Sequence, residues 1–67
     1  MNSKEAQTLT NRIRSITGNA ASIQQEVWTF QSGNKEIEYH LWIEGSVHIS
    51  KRFPTWKELV SHVKENF

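Results

Sequence analysis

Ala6, Leu9, Ile13, Ile16 and Ala20 recur at spacings of three and four, which places them on one stripe of a helix. Asn2 or Ser3 can cap it. With Asn2 as the cap, Glu5 occupies the third helical position and can reach back to it, while Gly18 and Asn19 supply a left-handed stop. The spacing predicts a helix over about residues 3 to 17. From Ile23 the pattern turns to β-branched and aromatic residues, is broken by Ser32, Gly33 and Asn34, and then resumes. Ile37, Tyr39, Leu41 and Ile43 alternate with Glu36, Glu38, His40 and Trp42, so the odd positions face the core and the even ones face solvent or a partner.

Gly45 turns the chain, and Val47 and Ile49 continue the odd-numbered apolar set. A three-residue turn over Glu44 to Ser46 pairs Ile43 with Val47 and Leu41 with Ile49, keeping one face apolar. Strands are predicted over about residues 23–32, 35–44 and 46–52. Thr55 stands three residues before Glu58, the spacing of a capping box, with Pro54 and Leu59 placed for an apolar staple across it. Trp56, Leu59, Val60, Val63 and Phe67 form a second amphipathic stripe, so a helix is predicted over about residues 55–65. The expected architecture is α+β: a single α-β-β-β-α domain, with a three-stranded antiparallel meander and both helices packed on one face.

The first strand does not announce its buried side, because Trp28 and Phe30 lie on even positions and Ile23 and Val27 on odd ones. A two-residue Gly33-Asn34 loop of type II′ pairs Ser32 with Lys35, Phe30 with Ile37 and Trp28 with Tyr39, burying both aromatics. A three-residue loop pairs Gln31 with Lys35 instead, turning Val27 and Ile23 inward and leaving Trp28 and Phe30 on the open face beside His40, Trp42, His48 and Arg52. Favoured turn chemistry and the larger apolar burial make the two-residue loop the expectation.

At 67 residues the chain has room for one core only. It has no cysteine, which excludes disulfides and thiolate metal sites and suits a cytoplasmic location. Residues 1–14 lack the apolar run of a signal peptide, and no stretch approaches a membrane span. Eight Lys and Arg against seven Glu, with no Asp, leave a net charge of +1 and no sign bias toward a polyanion. Three cations oppose two anions up to Asn34, and five oppose five after it.

The polar residues do not assemble a catalytic pattern. There is no nucleophile elbow and no glycine-rich phosphate loop, and Gly18, Gly33 and Gly45 are each explained by a turn. The reading is therefore non-enzymatic, without a cofactor. His40 and His48 lie diagonally across neighbouring strands when residues summing to 90 are paired, with His40 opposite Ser50. A metal there would need Glu38 or Glu26 as a third ligand, and no dense ligand motif supports one.

The stretch from Gly45 to Val63, with its Ile-Ser, Phe53 and Leu59-Val60-Ser61-His62 in that order, resembles the late-strand to second-helix segment of SH2 domains. It covers under a third of the chain, and no binding residue is carried over from it. The order and length of elements also resemble those of double-stranded RNA-binding domains, although the last helix begins Thr55-Trp56-Lys57-Glu58 in place of a lysine-rich start. Three strands and a helix are similar to the topology of small integrase-type and AP2-type DNA readers.

The expected function is a small interaction module that binds a protein partner, or itself as a homodimer, through an open sheet face centred on His40, Trp42, His48 and Arg52, or through an edge strand. The alternative is a nucleic-acid-binding domain that uses the sheet face with Lys35, Lys51, Arg52 and Lys57. Small size without a catalytic constellation would suit a phage or mobile-element accessory protein.

Overall fold

In the computed structural model, which describes residues 2–45 and 48–67, the chain runs helix, three strands, helix: α1 (Ser3–Thr17), β1 (Ala21–Thr29), β2 (Lys35–Ile43), β3 (Ile49–Phe53) and α2 (Trp56–Asn66). Asn2 caps α1, its Oδ1 accepting from the N–H groups of Lys4 at 3.0 Å and Glu5 at 3.1 Å. Glu5 does not reach back to the cap as the capping-box spacing suggests; its carboxylate accepts from Trp56 Nε1–H of α2. Gly18 ends α1 in the left-handed conformation, with φ of 72°, and donates its N–H to the Arg14 carbonyl. Thr55 caps α2 by accepting from the Glu58 N–H at 3.2 Å.

The sheet is antiparallel throughout, in the order β1-β2-β3. Both helices cover its odd-numbered face: Leu9 and Ile13 of α1 and Leu59 and Val63 of α2 are buried with Leu41 and Ile43 of β2. This is the α+β meander, with both helices on one side, that the hydrophobic pattern predicts. Tyr39, Phe53, Trp56, Val60 and Phe67 pack around that centre, and each fully buried aliphatic side chain is worth about 1.5–3 kcal/mol relative to exposure.

The β1 register differs from the expected one. Thr29 pairs with Lys35, Val27 with Ile37, Ile23 with Leu41 and Ala21 with Ile43, so Trp28 and Phe30 do not enter the core, and both are exposed. The turn explains the change. The loop is Gln31-Ser32-Gly33, closed by Phe30 N–H to Asn34 C=O at 2.8 Å and Gly33 N–H to Phe30 C=O at 2.9 Å. A turn followed by a left-handed residue is the favoured three-residue hairpin loop, and Gly33, with φ of 91°, takes that last position. The parity is that of the three-residue alternative, but the loop starts one residue earlier and the strands pair two residues out of the alternative's register. Consequently β1 spans Ala21–Thr29 and stops short of the predicted Ser32.

The β2–β3 register is shifted similarly. Ile43 pairs with Ile49 and Tyr39 with Phe53, not Ile43 with Val47 or Leu41 with Ile49. Parity is kept, so the buried face is unchanged. The shift sets Phe53 beside His62 of α2, with ring centroids 5.2 Å apart, while Tyr39 meets Trp56 edge-on at 5.5 Å. Ser46 and Val47, placed by the alternation at the start of the third strand, lie outside the described residues.

Two members of the first stripe are not buried: Ala20 is exposed beyond the helix end, and Ile16 is 59% exposed. The helices lie side by side in the same direction, Glu5 meeting Trp56 at one end and Arg12 Nε donating to the Phe67 carbonyl at the other. The last turn of α1 therefore runs past the end of α2, which leaves Ile16 largely uncovered.

The helices are also shorter than the sheet. At about 1.5 Å per residue, α1 and α2 extend about 22 and 16 Å, whereas the nine-residue strands extend about 30 Å. The helical layer reaches the level of Tyr39 and Trp56. Beyond it β1 and β2 continue as a two-stranded ribbon that β3, ending at the Tyr39–Phe53 pair, does not accompany. Leu41→Ala is expected to cost about 2–5 kcal/mol and to abolish cooperative unfolding in so small a domain. Ile37→Ala, on the same strand and face but on the ribbon, should cost well under half as much in the same urea titration followed by circular dichroism.

Candidate interaction surface

The even-numbered sheet face has no helix over it. Alternation presents Ser22, Gln24, Glu26 and Trp28 from β1, Glu36, Glu38, His40 and Trp42 from β2, and Ser50 and Arg52 from β3. Pairing sets His40 opposite Arg52 and Trp42 opposite Ser50, correcting the predicted His40–Ser50 pair. His40 and Ser50 still meet on the diagonal, sharing a 2.7 Å hydrogen bond between Nε2 and Oγ. Glu26 joins the group from β1, 3.6 Å from His40 Nδ1 and 3.5 Å from Arg52 Nε, and Glu38 lies 3.8 Å from Arg52.

At the end of this row Trp42 stacks on His48, with centroids 4.7 Å apart and planes 21° from parallel, and meets His40 edge-on at 6.3 Å. The structure thus brings His40, Trp42, His48 and Arg52 together. Trp42 is half-buried rather than a free platform. His40 and His48 do not point at a shared site: one is engaged with Ser50 and Glu26, the other lies flat on Trp42. Among the described residues no group of three or more His or acidic side chains converges as a metal set.

The cationic set is not brought together. Arg52 is engaged by Glu26 and Glu38. Lys51 is on the opposite, odd-numbered face, where it opposes protonation of His62. Lys57 lies in the first turn of α2. Lys35 pairs with Thr29 at the ribbon tip, four residues along β2 from the Tyr39–Phe53 pair where β3 stops, so it does not join Lys51 and Arg52 of β3.

The ribbon is the surface that alternation alone does not reveal. Its odd face carries Val27 and Ile37, paired across the strands and 58% and 46% exposed; its even face and tip carry Trp28 and Phe30, both 47% exposed. Four large apolar side chains on one protruding hairpin are more than scattered surface apolarity accounts for. Their neighbours on the even face are acidic: Trp28 pairs with Glu36, and Glu26 with Glu38. The alternating pattern reads Ile37 as core, and the three-residue loop turns Val27 inward with it, because the pattern carries no information about how far the helices reach. The signal that could have found them is the mismatch between helix length and strand length.

The two sheet edges also differ. β3 is short and carries Lys51 and Arg52, both features that discourage strand addition. β1 has nine residues, an unbroken register, no Pro, Lys or Arg, and a single charge, Glu26, which is turned onto the ion-paired face. A groove of about 380 Å³ runs along its outer flank beneath α1, lined by Ala6, Gln7, Thr10 and Arg14 and by Ala21 and Ile23. No helix among the described residues is long and apolar enough to cross a membrane.

On the helical side, burial pushes the His62 imidazole below its ordinary pKa, with Lys51 adding to this and Glu65 opposing it. The unfolded chain therefore takes up the His62 proton at higher pH than the folded one does. Its contribution is present above the ordinary histidine pKa and is lost as pH falls through the lowered value. His62→Gln should flatten the loss of thermal stability on acidification below about pH 6.5, read as the slope of Tm against pH. No protein-family model matches the chain, and no curated protein or solved structure matches it.

Proposed function

We propose that this chain is a small non-enzymatic interaction module that binds protein through the β1–β2 ribbon and its adjoining edge and open sheet face. The observation that carries this is the ribbon itself, which extends past the helical layer and exposes Val27, Trp28, Phe30 and Ile37. A two-stranded hairpin is only marginally stable alone, so apolar side chains on both its faces favour a state in which another surface covers them.

The charge pattern favours protein over nucleic acid. Outward aromatic rings such as Trp28 and Phe30 could stack on bases, but phosphate contact needs free cations beside them. Glu26, Glu36 and Glu38 surround the platform, and Arg52 is already paired. The polar row of Glu26, His40, Ser50 and Arg52, ending in Trp42 on His48, provides a hydrogen-bonding rim to an aromatic centre, the composition typical of protein contacts.

The test compares the wild-type chain with a Trp28→Ser/Phe30→Ser variant in chemical cross-linking within extracts of its source cells. Protein adducts, self-adducts included, are expected for the wild type and should fall at least tenfold in the variant, with the far-UV circular dichroism unchanged. Mixed-sequence DNA and RNA should give no shift at low salt. Binding there with a steep salt dependence would replace the protein reading with the nucleic-acid one.

A further inference from the structure

We infer that the occupant of this surface is a second copy of the chain, joined by antiparallel pairing of β1 with its two-fold mate into a continuous six-stranded sheet. The inference rests on the ribbon being a protein-binding surface, and it names the partner. Phe30 N–H bonds to Asn34 C=O and Glu44 N–H to Ala20 C=O, so the even residues of β1 exchange their backbone bonds with β2. The N–H and C=O groups of the odd residues, Ile23, Val27 and Thr29 among them, are consequently directed away from β2, along the outer edge. That edge is the long, nearly uncharged, Pro-free one.

Only one symmetric register pairs all nine residues of Ala21–Thr29, and it has the two-fold axis at Gln25. In it Ile23 faces the mate's Val27 and can exchange two backbone hydrogen bonds with it, and Gln24 places its amide opposite the mate's Glu26. Trp28 falls opposite the mate's Ser22. No like charges meet. Moving the axis one residue to Glu26 would set two carboxylates face to face, which disfavours that alternative. Because odd pairs with odd, the helical layers of both copies lie on the same side of the joint sheet.

The arrangement also supplies what each copy lacks. The helix-covered end of β1, Ala21 to Ile23, is half-buried, whereas the ribbon end at Val27 is not. Antiparallel pairing brings the covered end of one strand beside the bare end of the other. The groove beneath α1, open at the flank of Ala21 and Ile23, then faces the mate's Val27 and Ile37, so each ribbon is roofed by the other copy's helix. The interface is isologous and closed, which leaves the short, basic β3 strands as the outer edges of the assembly.

Sedimentation equilibrium of the full chain from micromolar to millimolar concentration should show a monomer–dimer equilibrium. Val27→Pro should weaken it by about 100-fold or more: the lost N–H lies on the outer edge, where proline leaves the β1–β2 ladder intact. The protein has no cysteine, so single substitutions report geometry even if that variant folds poorly. Gln25→Cys should form a disulfide dimer under mild oxidation, since the two copies of this position meet at the axis at about 5.5 Å between Cα atoms. Thr29→Cys, paired with the mate's Ala21, should not. A chain monomeric throughout, a Val27→Pro variant that still dimerises, or oxidation of Thr29→Cys as fast as Gln25→Cys would each overturn the inference. A monomeric wild type whose Trp28-dependent adducts contain other proteins would remove self-pairing alone and leave the ribbon reading in place.

Discussion

The structure depends on the contact of two short helices with one half of a longer sheet. Leu9, Ile13, Leu59 and Val63 close over Leu41 and Ile43, and that apolar centre is all that a chain of this length can enclose. Its position along the strands decides the rest. Where the helices lie above β2, its odd-numbered Leu41 and Ile43 are core; further along the same sheet face, Val27 and Ile37 have the same chemistry and the same orientation but are exposed. Burial here is set by the reach of the covering layer as much as by the residue.

This constraint also accounts for the choice of register. Turning Trp28 and Phe30 inward in the expected register would set Phe30 opposite Ile37, beyond the helical layer, and Trp28 opposite Tyr39, at its margin. With so little cover for the two rings, the hydrophobic advantage of that register shrinks. The opposite parity places Ala21 and Ile23 beneath α1, where cover exists. Gly33 then occupies the one loop position whose left-handed backbone other residues adopt only with strain. Local turn chemistry and global packing agree, which is the consistency expected of a sequence that specifies one structure.

On the opposite face, polar side chains satisfy one another. Glu26 reaches both His40 and Arg52, Glu38 reaches Arg52, and His40 shares a hydrogen bond with Ser50. With Arg52 53% exposed, these pairs contribute little to stability. Their larger effect is electrostatic: they neutralise the cation that a nucleic-acid surface would need and leave an acidic border around the exposed aromatics.

The helices, a cap for α1 at Asn2 or Ser3, the cap of α2 at Thr55, the stop at Gly18 and the odd-numbered core face of β2 were all legible in the sequence, because capping, left-handed glycine and period-two alternation act within a few residues of one another. His40, Trp42 and Arg52 were likewise legible as one outward row, since parity survives a two-residue slip in register. Three features were decided only by tertiary structure: the start of the hairpin loop at Gln31, the diversion of Glu5 from its cap to Trp56, and the exposure of Ile16 and Ile37. Each depends on where a helix distant in sequence begins or ends relative to the sheet. A hydrophobic pattern records which side of an element is apolar, but not how far its cover extends.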